Sequence, residues 1–125
     1  TQLKIERIDN MDNLARLQME LRGYDNIPEN ELIVYLMEND LTDTDTYDTK
    51  SKTNLKKIYQ TALSVLESIA NDPQMMKNYK TEDITITHFH TNLMNRIDDL
   101  RRKINTMAND EFVSENDARI VPFIW

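Results

Sequence analysis

Two histidines, His88 and His90, are the residues best equipped for chemistry, and they lie two apart in TEDITITHFH, close to Glu82 and Asp83. On a strand, residues two apart share a face; on a helix they do not. A catalytic zinc site needs a third protein ligand. The chain has no cysteine, and Glu82 and Asp83 meet no known ligand spacing. The acidic run 38–49, ENDLTDTDTYDT, invites a calcium test. Counted from Asp43 as an EF-hand, position 3 is Asp45, as required. Position 5 is Tyr47, position 6 is Asp48 where glycine is needed, and position 12 is Asn54 where glutamate is needed. Ser51, Ser64, Ser68 and Ser114 stand in no nucleophile motif. The sequence therefore predicts no catalytic, cofactor or metal residues, and solvated polar faces account for these candidates. A metal-dependent enzyme using His88 and His90 is the weakest of three functional readings.

Composition narrows the scaffold. With 125 residues, 39% apolar and 30% charged, the chain is sized for one domain with a modest core. One glycine and three prolines argue against a sandwich or barrel, whose turns and bulges consume glycine. The same scarcity excludes glycine-rich phosphate loops. The absence of cysteine excludes disulfides and thiol catalysis and fits a reducing compartment. No apolar run approaches a membrane span, and TQLKIERIDN has no apolar signal core, so synthesis in the cytoplasm is expected. The formal charge of −7 is unevenly spread. Residues 9–48 carry eleven acids against Arg16 and Arg22, and residues 50–107 carry ten Lys/Arg against six acids. An acidic chain is a poor general nucleic-acid binder, but opposite faces suit contact between subunits.

The elements that position these residues follow from periodicity. Helices are expected over 10–22, 28–39, 50–71 and 88–107. Gly23 stands where the first would stop. ELIVYLMEN is apolar nearly all round, so its helix is buried on two sides or packs on a partner. Leu55, Ile58, Tyr59, Ala62, Val65, Leu66, Ile69 and Ala70 form a wide apolar face. The Asp72–Pro73 step breaks that helix and opens a short one. Phe89, Leu93, Ile97, Leu100, Ile104 and Met107 form a regular seam. On the outer face, Asp98 with Arg102 and Asp99 with Lys103 are spaced for i,i+4 pairs. In KTEDITIT, Ile84 and Ile86 alternate with Asp83, Thr85 and Thr87, the pattern of a short strand with open edges. The segment after 109 ends in a dense apolar group. The fold class is thus mainly α: a small bundle of about four helices in residues 1–109, with a short strand and an extended C-terminal arm over 110–125.

Three stretches resemble the small head–tail adaptor (connector, or head-completion) proteins of tailed bacteriophages. ENELIVYLMEND is similar to that family's early helix after an acidic cap. LKKIYQTALSVLESIANDPQMMKNYKTEDITI resembles its long helix, the break at DP and the strand-like return. FHTNLMNRIDDLRRKI resembles its closing helix with a basic end. The likeness covers roughly 29–107, while 1–25 and the terminal arm map onto no pattern of the family. It implies a non-enzymatic virion protein, made in the host cytoplasm, that forms a ring beneath the portal and extends the DNA channel. The implied partners are further copies of itself, the portal protein and tail or other neck proteins, with DNA only as passing cargo, no membrane and no cofactor. Strand addition between subunits would then use Asp83, Ile84, Thr85, Ile86 and Thr87, and the arm would contribute Phe112, Val113, Ile120, Val121, Phe123, Ile124 and Trp125. The competing reading is a helical protein–protein interaction module with no viral role.

Overall fold

The computed structural model describes residues 11–24, 26–77 and 85–107, which form five α-helices. α1 (Asn13–Glu20) starts at Asp12, whose carboxylate accepts from the Ala15 N–H at 2.8 Å. α2 (Glu29–Glu38) follows Pro28 and carries Glu29 and Glu31 in its first turn, where carboxylates complement the helix dipole. α3 (Lys52–Ala70) is capped by the Ser51 hydroxyl, which accepts from the Asn54 N–H at 3.0 Å. The Asp72 carboxylate accepts from the N–H groups of Gln74 and Met75 and opens the single turn and a half of α4 (Pro73–Lys77). α5 (Ile86–Thr106) is capped by Thr85, whose hydroxyl accepts from the His88 N–H at 3.0 Å. The helical fold expected from the sequence is the observed one, with helix ends shifted by a few residues.

The strand needs correction. Ile86 and Thr87 lie in the first turn of α5 and Thr85 is its cap. The threonine hydroxyl satisfies an otherwise orphaned helix donor, and that local bond outweighs the β-preference of Ile and Thr. Asp83 and Ile84 lie outside the described residues, as do the arm and the first ten residues.

α3 is the axis of the molecule and packs against each of the other four helices. Its buried residues Ile58, Thr61, Ala62, Val65, Leu66 and Ile69 recur at spacings of 3 and 1, a broad stripe that can touch several neighbours at once. Thr61 is buried there without an orphan, because its hydroxyl donates to the Lys57 carbonyl at 2.8 Å. α5 runs antiparallel to α3 and buries Phe89, Leu93, Ile97 and Leu100; Ile104 and Met107, further along the expected seam, are half-buried. Leu17 and Leu21 close the core from α1, and Leu32 and Leu36 from α2. A turn after α1, with Gly23 at φ 90° and the Tyr24 N–H on the Leu21 carbonyl, brings the Tyr24 ring to 5.7 Å from that of Phe89.

α2 stops in a second left-handed residue. Asp40 has φ 64°, its N–H donates to the Met37 carbonyl and the Leu41 N–H to the Leu36 carbonyl. These are the two bonds of a Schellman cap, with aspartate where glycine is usual. Asp40→Val places a β-branched residue at positive φ and should cost about 1–2 kcal/mol in urea unfolding, whereas Asp40→Gly should cost nothing.

Candidate assembly surfaces

The acidic loop after α2 is fastened to the core. Its carbonyls satisfy the first donors of α1: the Asn13 N–H donates to Asp45 at 3.0 Å and the Leu14 N–H to Asp43 at 3.2 Å. The Tyr47 N–H returns to the Met11 carbonyl at 2.8 Å. A side-chain relay fixes the loop from beneath. The Asp48 N–H donates to Asn54 Oδ1 (3.0 Å), Asn54 Nδ2 to Asn13 Oδ1 (3.1 Å), and Asn13 Nδ2 to the Thr42 carbonyl (2.9 Å). Asn13 is 3% exposed and Tyr47 is buried, so the loop is not the freely solvated segment its composition suggests. Sequence pattern gave no sign of Asn13, an ordinary polar letter at a helix start. Asn13→Leu strands the Thr42 carbonyl and the Asn54 amide. It should cost about 1–3 kcal/mol and speed hydrogen exchange at the Tyr47 amide.

Charges tie the same region to α5. Glu20 on α1 pairs with Arg16 at 3.0 Å and with Arg96 of α5. Arg16 also lies 5.5 Å from the Tyr47 ring centroid. Burial pushes the Glu20 carboxyl up, but hydrogen bonds and charge from Arg16 and Arg96 outweigh it and hold it below the ordinary value. Stabilisation from a depressed carboxyl is complete above its unfolded pKa and is lost as pH falls through its folded value. Glu20→Gln should therefore cost about 1–3 kcal/mol near neutral pH, with the deficit shrinking in unfolding titrations carried below pH ~4.

Two surfaces stand out on this frame. The first is the outer face of α2, where Val34 and Met37 are 52% and 64% exposed beside half-buried Ile33. Glu31 and Glu38 lie one turn to either side of Val34. From Glu29 to Asp48 the chain carries seven carboxylates and no Lys or Arg. The second is the end where α3 begins and α5 finishes. Lys56 Nζ donates to the Met107 carbonyl at 3.4 Å, and Lys103 Nζ lies 5.3 Å from the Tyr59 ring centroid. Residues 50–57 and 101–107 together hold seven Lys/Arg and no acid. The ion pairs of α5 are one residue closer than the sequence suggested: Asp98 meets Arg101 and Asp99 meets Arg102, while Lys103 turns to Tyr59.

The chain matches no family model, no curated protein and no solved structure.

Of the residues expected to bind partners, Thr85 and Thr87 are exposed and Ile86 half-buried at the start of α5. Asp83, Ile84, Phe112, Val113, Ile120, Val121, Phe123, Ile124 and Trp125 lie outside the described residues. His88 and His90 are exposed on α5. Among the described residues no three His, Cys, Asp or Glu side chains gather closely enough to hold a metal, and no helix is long and apolar enough to cross a membrane. His90 borders an open cleft of about 480 Å³ between α3 and α5, floored by Ala70, Met94 and Ile97 and walled by the Glu67–Arg101 pair at 2.6 Å. The sequence flagged α2 as apolar all round. That signal locates the first surface, although it could not tell the solvent side from the core side.

Proposed function

We propose that this chain is a non-enzymatic structural protein of a phage neck, an adaptor whose copies form a ring that joins the portal to the tail and extends the DNA channel. One observation carries the reading: α2 presents Val34 and Met37 to solvent, 52% and 64% exposed, along a row of carboxylates on a capped helix. Contiguous apolar side chains rimmed by charge are stabilised when another protein covers them. The likeness to head–tail adaptors over 29–107 supplies the setting. It makes the partners further copies of the chain, the portal and tail or other neck proteins, in a virion assembled from protein made in the host cytoplasm. A surface rich in carboxylates suits a channel through which DNA passes as cargo, because it gives phosphates nothing to hold. The same face in a helical interaction module outside a virus would serve a different protein partner, and the portal decides between the two.

The protein should co-sediment with assembled portal and appear as rings on it by electron microscopy. A double variant, Val34→Asp with Met37→Asp, should keep its unfolding free energy in urea to within about 0.5 kcal/mol, since both residues are on the surface, and should no longer assemble into rings on the portal, so that co-sedimentation falls. A wild-type protein that never co-sediments removes the neck assignment. A double variant that binds as well as wild type removes the α2 face from it.

A further inference from the structure

We infer that the α2 strip of one copy seats on the basic end of a second copy, so that the chain associates head to tail. The inference rests on self-assembly being the function and is independent of the viral setting.

The two surfaces are complementary in layout as well as in sign. The strip has an apolar centre, Val34 and Met37, within a rim of carboxylates. The basic end has half-buried Tyr59 and Leu55 on α3 and Ile104 and Met107 on α5, within a rim of Lys and Arg. Lysine lends itself to both layers, since its methylene stem covers apolar surface while its ammonium stays at the edge. Lys103 already places its ammonium 5.3 Å from the Tyr59 ring centroid, which keeps a cation directly beside the apolar centre.

Within one copy the pairing is not made: among the described residues the backbones of α2 and α5 do not approach each other, each packing on α3, and Val34 and Met37 are exposed. Symmetry also excludes the simpler dimers. Two α2 strips face to face bring Glu31 and Glu38 against their own copies, and two basic ends do the same with Lys56 and Lys103; like charges set opposite one another across an interface are strongly unfavourable. What remains is strip against end. Repeated head to tail, this contact leaves one strip and one basic end unfilled at the termini of any short chain of subunits, so association continues into a ring or an open filament; reciprocated across a two-fold axis it stops at a dimer, and a dimer in sedimentation overturns the head-to-tail inference.

Charge reversal tests this directly. A strip variant, Glu31→Lys with Glu38→Lys, and an end variant, Lys56→Glu with Lys103→Glu, are examined by sedimentation velocity, alone and mixed in equal amounts. Circular dichroism of each checks the fold. Wild type should associate at low ionic strength and dissociate as salt is raised. Each variant alone should associate at least about tenfold more weakly. The equimolar mixture should regain wild-type association, because each reversed surface then meets its opposite, and this rescue also shows both variants to be folded. An end variant that associates like wild type overturns the proposal in favour of strip-to-strip pairing. A mixture that stays dispersed, or a wild type that is monomeric at low salt, also overturns it. Portal co-sedimentation in parallel separates the two readings. A monomeric protein that still binds portal ends the head-to-tail inference and leaves the adaptor reading, and salt-sensitive association without portal binding does the reverse.

Discussion

Asn13 is the side chain on which the arrangement of charge depends. It is buried, and a buried amide is tolerable only when its donors and acceptor are matched. The Thr42 carbonyl and the Asn54 amide match it, and Asn54 in turn receives the Asp48 N–H. The relay spans the acidic loop from end to end and joins it to α1 and α3. The two bonds of Asn13 are partly buried and the Asp48 bond is exposed, so the cost of breaking the relay falls chiefly on the buried Asn13 amide. A segment whose letters favour local turns over any fixed conformation is thereby given one position.

The consequence is electrostatic. The loop carbonyls of Asp43 and Asp45 gather at the N-terminus of α1, where the helix dipole is positive. Arg16 then bridges the loop, through the face of Tyr47, to Glu20, and Glu20 bridges α1 to Arg96 on α5. Two arginines on one carboxylate more than offset its desolvation, which is why burial does not raise its pKa. Among the described residues much of the remaining charge is segregated, with carboxylates on α2 and its following loop and lysines where α3 starts and α5 ends, while Arg101 and Arg102 pair with Glu67, Asp98 and Asp99. A molecule built this way has a stable interior and an unfinished exterior.

The apolar strip on α2 belongs to the same logic. Leu32 and Leu36 are the residues of the helix buried in the core, with Tyr35 packed beside them, whereas Val34 and Met37 are exposed among the described residues. Exposed apolar side chains on one helix face are what the proposed contact with a second copy would cover. The cap at Asp40 ends the helix where the strip ends, so the exposed face has a fixed length and a fixed rim.

The sequence alone determined the helices. The stripe from Leu55 to Ala70, the seam from Phe89 and the DP break are local patterns, and local patterns specify local structure because helical neighbours lie within four residues of each other. It also determined the charge asymmetry, and it pointed to α2 as a helix with more apolar surface than one core contact uses. It misread Thr85, Ile86 and Thr87, because period-two β-branched residues and a threonine N-cap look alike until the helix that needs the cap is in place. Only the tertiary structure decided which face of α2 is buried, that Lys103 leaves Asp99 for Tyr59, and that an acidic loop is anchored by an asparagine forty-one residues from its partner at position 54. These are contacts between distant parts of the chain, and spacing along a sequence carries no record of them.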